Sequence, residues 1–278
     1  MNVRCVLVLG AGLLGCGPVD AHSALRGREG ALWRYALDAP LKRWALPADL
    51  REISGLAVIA DDRLLGHGDE RAEVYEVDPA RARAVPRFAM GHPAASGDFE
   101  GIAAADGRVW LVTSTGQLYE ARLGSAGEAV QYQVHETGLG RRCELEGLTF
   151  DPVRRALLLP CKVPHDRRLR GALVVFAWSL DSAAIEAAPR FRVPIAALAG
   201  VRGVFRATAI ERHPDGTFLV LSSTGDLVEI DASGAVLAVR RLGGRHAQPE
   251  GLGVTRDGLL YVADEGRPAA LTIYGYAR

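Results

Sequence analysis

Four glutamates stand ahead of short apolar strands in this chain: Glu52 in EISGLAV, Glu100 in EGIAAA, Glu146 in EGLTFD and Glu250 in EGLGV. Carboxylates that recur at one place in a repeated unit converge when the units are set around an axis. Four such groups cannot all be buried and ionised without compensation. They must be hydrated, protonated, paired with a cation or bound to a metal. Oxygen-only donors suit a hard cation such as Ca²⁺, which takes about 6–8 oxygens at about 2.3–2.6 Å. Glu52, Glu100, Glu146 and Glu250 are therefore the candidate metal ligands, with Ca²⁺ as the expected ion. The plainer alternative is that each glutamate anchors its own repeat through backbone hydrogen bonds.

Other polar residues fall in loops expected on the same face. HGDE supplies His67 and Asp69, ADEG supplies Asp264 and Glu265, and His246 precedes the last repeat. In the fourth repeat Thr208 replaces the glutamate and Arg206 lies nearby. These six residues, His67, Asp69, Arg206, His246, Asp264 and Glu265, are the ligand-face candidates. Lone loop histidines such as His92 and His165 read as solvated. Lys162, Arg167, Arg168 and Arg170 make one insertion basic. No G-x-S-x-G, H-E-x-x-H or C-x-x-C is present, so the sequence names no nucleophile and no catalytic residue.

The elements that must position these groups are repeats. Segments beginning at Glu52, Glu100, Glu146, Thr208 and Glu250 share one pattern, marked by Gly55, Gly101, Gly147, Ala209 and Gly251, which are 46, 46, 62 and 42 residues apart. A period in the forties with several short strands per unit predicts an all-β propeller. The turns ADGR, DPVRR, HPDG and TRDG carry the Asp, Pro and Gly that tight turns need. Second strands such as RVWLVT and TFLVLS are continuously apolar, as strands covered on both faces are. VPRFAM, VQYQVHE, RFRVPI and VLAVRRL are outer-strand candidates, whereas the last repeat lacks one. Residues 41–47 (LKRWALP) are expected to fill that place and close the ring. Five motif copies predict five blades; ALWRYALD (31–38), an unassigned strand, leaves a sixth open.

The amino terminus has two readings. VLVLGAGLLGC contains G-x-G-x-x-G, but Gly17-Pro18 follows at once and disrupts the helix a dinucleotide site requires. The same residues, with Arg4 ahead and Leu13-Leu14-Gly15-Cys16 behind, make an export signal ending in a lipobox. The expected organisation is a lipoprotein signal over 1–15, a tether over 16–30 and one propeller domain over 31–278. Cys16 is the expected lipid-bearing residue, and the expected location is the cell envelope, at the outer membrane or facing the periplasm in a Gram-negative host. Thirty-three Lys and Arg balance 33 Asp and Glu, so no net basic field draws nucleic acid. Beyond the signal the cysteines are Cys143 and Cys161, and an isolated pair in an oxidising compartment predicts one disulfide. The two flank a predicted hairpin, one at the start of its first strand and one at the end of its second.

DFEGIA, CELEGLTFDP with LLLPCK, and PEGLGV with YVADEG resemble the SdiA-regulated family of bacterial propellers and, more distantly, esterase-like phytases. The resemblance covers about residues 31–278. It implies an exported propeller, with calcium at the channel in some members and no assigned reaction; Thr208 departs from an all-glutamate ring. Two function classes follow: a lipid-anchored binding or scaffold protein with a small-molecule or protein ligand at the channel mouth, or a metal-dependent hydrolase of phosphate esters or lactones in which His67 or His246 moves protons.

Overall fold

Five antiparallel sheets stand around one axis in a computed structural model that describes residues 30–277, apart from 61, 62 and 202. Blade one runs outward from Ile53–Ala60 through Arg63–Gly68 and Glu73–Asp78 to Arg83–Met90, with Glu128–Val130 added in parallel at its edge. Blade two comprises Phe99–Ala105, Arg108–Thr113, Gln117–Arg122 and Tyr132–Glu136. Blade three has a broken inner strand, Cys143–Leu145 and Thr149–Asp151, then Ala156–Pro164, Ala172–Ser179 and an outer edge shared by Ala184–Ile185 and Phe191–Pro194. Blade four comprises Ala207–Arg212, Phe218–Ser222, Asp226–Ile230 and Val236–Arg241. Blade five takes Pro249–Val254, Leu260–Asp264 and Ala270–Tyr274 from the end of the chain, and Lys42–Ala45 from its beginning.

That last pairing is the predicted closure. Lys42–Ala45 lies antiparallel to Ala270–Ile273 and covers the edge the final repeat leaves bare. Residues 31–38, by contrast, do not form a strand of a sixth blade. Ala31–Arg34 is a 3₁₀ turn whose Leu32, with Tyr35 and Leu37, is buried among residues of blades four and five, including Leu227, Leu252 and Tyr274. The buried Glu229 carboxylate accepts the amides of Ala31 and Leu32 at 2.8 and 2.9 Å and the Thr217 hydroxyl at 2.8 Å. The turn's free amides thus find a fixed acceptor inside the ring, as the ends of any helical turn require. Tyr35 bridges Tyr276, tying the two ends of the chain together.

All five inner strands start on one face, here called the upper, and end on the lower. Their packing is tight enough to close the axis. A Cβ on Gly101 would lie 2.6 Å from the Gly147 carbonyl carbon, and one on Gly147 would lie 2.8 Å from the Ala209 Cα. The space left between the inner strands is about 10 Å³, near the lower limit for a single water. The marker glycines therefore serve close approach of neighbouring inner strands, and the axis is a packed core with a mouth at each end.

Candidate functional site

At the upper mouth the backbone itself selects which side chains face the axis. In blades one, two, four and five the pairing of first and second strands slips by one residue, between Ile53 and Gly55, Phe99 and Gly101, Ala207 and Ala209, and Pro249 and Gly251. The residues left unpaired are Ser54, Glu100, Thr208 and Glu250. In blade three the inner strand breaks altogether between Leu145 and Thr149, and Glu146 sits in the break. A bulge re-aims the extra side chain and ends regular pairing. Here the same device is used around the ring, and neighbouring starts are tied: the Gly147 amide donates to the Glu100 carbonyl at 2.6 Å, and the Thr208 hydroxyl to the Pro249 carbonyl at 2.7 Å.

Three carboxylates meet there. One oxygen from each of Glu100, Glu146 and Glu250 lies within 4.8 Å of the others. Glu52 is not part of this cluster. The ring place in blade one belongs to the buried Ser54, whose hydroxyl donates to the Glu52 carbonyl, while Glu52 itself is partly exposed and pairs with Arg51 at 3.4 Å. The physical reason is the bulge: it sets the ring residue immediately before the marker glycine, which is serine in the sequence E-I-S-G.

The cation among the carboxylates is Lys162, whose ammonium pairs with Glu146. Arg206 is exposed on the same face, and its carbonyl accepts the Ser223 amide. Burial would push the Lys162 ammonium down, but Glu146, Glu250 and Glu100 outweigh it and hold the group above its ordinary value. Glu146 is 1% exposed, and neither of its oxygens has a hydrogen-bond donor in good geometry among the described residues. Burial, then the charge of Glu250, pushes Glu146 up to about 8. Burial, then Glu146 and Asp98, pushes Glu100 up to about 9. Burial also raises Glu250, which shares the amide of Gln248 with Glu265; the Glu265 carboxyl, partly buried and beside Glu250, rises to about 7. Asp69 continues the acidic surface outward, raised by burial and by Glu52.

The remaining face candidates are placed differently. His246 does not open onto the mouth. Its Nδ1 meets the buried Asp264 at 2.8 Å and its Nε2 meets the Tyr274 hydroxyl at 2.5 Å, while Arg43 bonds the same Asp264 oxygen at 3.3 Å. This closed network joins the first strand of the chain to the last blade, and both histidine nitrogens are used. His67 is fully buried, with Nδ1 donating to the Gly68 carbonyl at 2.9 Å and Nε2 against Gly55 without a partner among the described residues. Burial pushes it down to about 4, so it is a neutral core imidazole at ordinary pH. Neither histidine is set to carry protons at the carboxylates.

Cys143 and Cys161 form a disulfide, with 5.7 Å between their Cα atoms. It binds the segment entering the inner strand to the residue preceding Lys162, so both members of the Glu146–Lys162 pair are held beside it. The Cys143–Leu145 segment pairs with Cys161–Pro164 across that hairpin.

No protein-family model matches the chain, and no curated protein matches it. Solved structures similar to it are propellers. The glutaminyl cyclase of Myxococcus xanthus is 15% identical, with a TM-score of 0.60 over 86% of this chain and 97% of that one. The PQQ-bound aldose sugar dehydrogenase of Streptomyces coelicolor is 13% identical, with a TM-score of 0.53 over 86% and 98%. A luciferin-regenerating enzyme is 10% identical, with a TM-score of 0.51 over 86% and 96%. At such identities the likeness concerns the fold alone, and propellers carry unrelated activities on one architecture. The chain is a five-bladed β-propeller closed by its own amino-terminal strand.

Proposed function

We propose that this propeller is a cell-envelope binding protein, held to a membrane by lipid on Cys16, whose upper mouth takes a divalent cation, with Ca²⁺ the expected ion. The observation that carries the reading is the approach of three carboxylate oxygens within 4.8 Å around a buried Glu146 whose one cation is Lys162. Two ligands on opposite sides of a calcium ion, each about 2.4 Å away, are about 4.8 Å apart. The charges also balance. Glu100, Glu146 and Glu250 ionised, with the Lys162 ammonium among them, leave a charge of two minus, which one divalent cation neutralises. Without it, burial and mutual repulsion favour protons on Glu100 and Glu146. The three side chains leave most of a calcium ion's coordination to water or to oxygens of a ligand, so the mouth suits a binding role. Cys16 and the tether lie outside the described residues.

The test is thermal unfolding of verified metal-free protein across millimolar CaCl₂. An ion that binds only the folded state raises Tm by mass action. The expected rise is abolished in Glu146→Gln and Glu100→Gln and retained in Glu52→Gln. An unchanged melting curve leaves the glutamates as blade anchors and ends the metal reading. Labelled palmitate incorporated into the wild type and absent from Cys16→Ala supports the anchor; label in both, or a soluble protein whose amino terminus lies elsewhere, removes it.

A further inference from the structure

The lower end of the axis carries a second pocket, of about 210 Å³, formed where the inner strands of blades one to four end. We infer that it binds a small primary ammonium ion with a short apolar tail, the ammonium on the Glu211 carboxylate and the tail against Ala57, Ala103 and Ala104. Glu211 is the residue whose charge is left over. Arg212 beside it faces the buried Asp151 at 3.9 Å. No cation pairs with Glu211 within 4 Å among the described residues; it receives the Thr149 hydroxyl and the Arg212 amide, and the more distant Arg212 charge offsets only part of its burial. A carboxylate in such a place costs free energy until a cation joins it. Burial accordingly pushes Glu211 up to about 8, so in the free protein it holds a proton near neutral pH. An arriving ammonium replaces that proton, which passes to water, and forms charge-assisted hydrogen bonds to the carboxylate oxygens.

The walls set the rest of the ligand. Ala57, Ala103 and Ala104 line the pocket with small side chains, which leaves room for a few methylene groups. Phe150, partly exposed and stacked on Trp110 with centroids 6.4 Å apart, adds an aromatic wall suited to a cation. An anion is disfavoured. It would meet the Glu211 carboxylate, and the Arg212 beside it already faces Asp151.

The experiment is titration calorimetry of the full chain with n-butylammonium chloride, with sodium butyrate as the charge-reversed control and NaCl at matched ionic strength. Saturable millimolar binding of butylammonium, absent for butyrate, is expected. Glu211→Gln is expected to weaken it by about tenfold or more. Glu146→Gln at the other mouth is expected to leave it unchanged, which separates this site from the cation site. Heats that never saturate, equal binding of butyrate, or wild-type affinity in Glu211→Gln overturns the proposal. Should Glu211→Gln fail to fold, Thr149→Val and Phe150→Ala serve instead: weakened binding in both supports the site, and unchanged binding in both overturns it.

Discussion

The two mouths of the axis are built from the same inner strands, but they treat buried carboxylates in different ways. At the upper mouth four bulges and one strand break turn the ring residues out of the pairing pattern, and three carboxylates share a single lysine. At the lower mouth four of the five inner strands pair regularly to their ends, with one slip in blade one between Val58 and Ala60, and Glu211 makes no ion pair within 4 Å among the described residues beside the Arg212–Asp151 pair. The upper arrangement concentrates negative charge, which calls for a multivalent partner. The lower leaves one charge in a mostly apolar recess, which calls for a monovalent one. A bulge or break at every upper strand start, against a single slip below, therefore separates an acidic mouth from a pocket of modest polarity on one scaffold.

The largest expected effect joins the two mouths. Gly147 has φ 88° and lies between them, and its Cβ would strike backbone of blade four. Gly147→Ala is expected to cost about 3 kcal/mol or more, from backbone strain together with overpacking. Gly107, at φ 72° with nothing within 4 Å of its Cβ, isolates the first part: Gly107→Ala is expected to cost about 1 kcal/mol. Urea unfolding of both variants checks this, and equal costs would mean that the inner strands are not in close contact.

The disulfide sharpens the contrast, since it touches only the upper mouth. Replacing Cys143 and Cys161 by alanine is expected to lower stability by about 3 kcal/mol, the chain-entropy value for a loop of this size. It is also expected to weaken the Ca²⁺-dependent rise in Tm while leaving butylammonium binding intact. Loss of both together would show that the mouths are not independent.

Two buried groups, His67 in the core of blade one and Glu211 at the lower mouth, respond to pH with opposite sign. The His67 imidazole is held down to about 4 by burial, while in the unfolded chain it takes up a proton near its ordinary value of 6.5. Between these values the unfolded state binds more protons, so this contribution is full above about 6.5 and is lost as pH falls toward 4. Its size is about 3 kcal/mol. His67→Gln should flatten that part of the stability profile; a slope unchanged in the variant would assign it elsewhere. Glu211, raised to about 8 from an ordinary 4.5, behaves in reverse: the folded state holds the proton longer, and stability falls as pH rises through that window. Glu211→Gln is expected to gain stability at pH 8 relative to pH 5, a smaller difference because the pocket admits solvent. Chemical denaturation at the two pH values reads it directly.

Much of this architecture was legible because propeller blades repeat. Turn chemistry and apolar second strands marked each unit, and the missing outer strand of the last repeat pointed to residues 41–47. The disulfide followed from the hairpin that Cys143 and Cys161 flank. The ring position was legible only in part. Spacing placed a glutamate near each marker glycine, but the bulge decides which residue turns inward, and E-I-S-G puts Ser54 there in place of Glu52. Segment 31–38 looked like a strand because it is apolar; its structure is decided by Glu229, almost two hundred residues away, which binds its amides. Lys162 read as part of a basic loop with Arg167, Arg168 and Arg170, since sequence does not show which one folds back into the acids. His246 looked free until Asp264 and Tyr274 closed around it. Glu211 carried no motif, and its signal is an acidic residue in an otherwise apolar inner strand, TAIER.

Gly30, the first described residue, lies against Glu229 and Leu237 in the lower half of the groove between blades four and five, and strand Lys42–Ala45 climbs from there toward the upper face. The chain therefore joins the ring from below. The Glu211 pocket opens on that same lower side, and the carboxylate mouth on the opposite one. Tyr276 emerges beside Tyr35 on the same lower side, so both ends of the described chain leave the ring there.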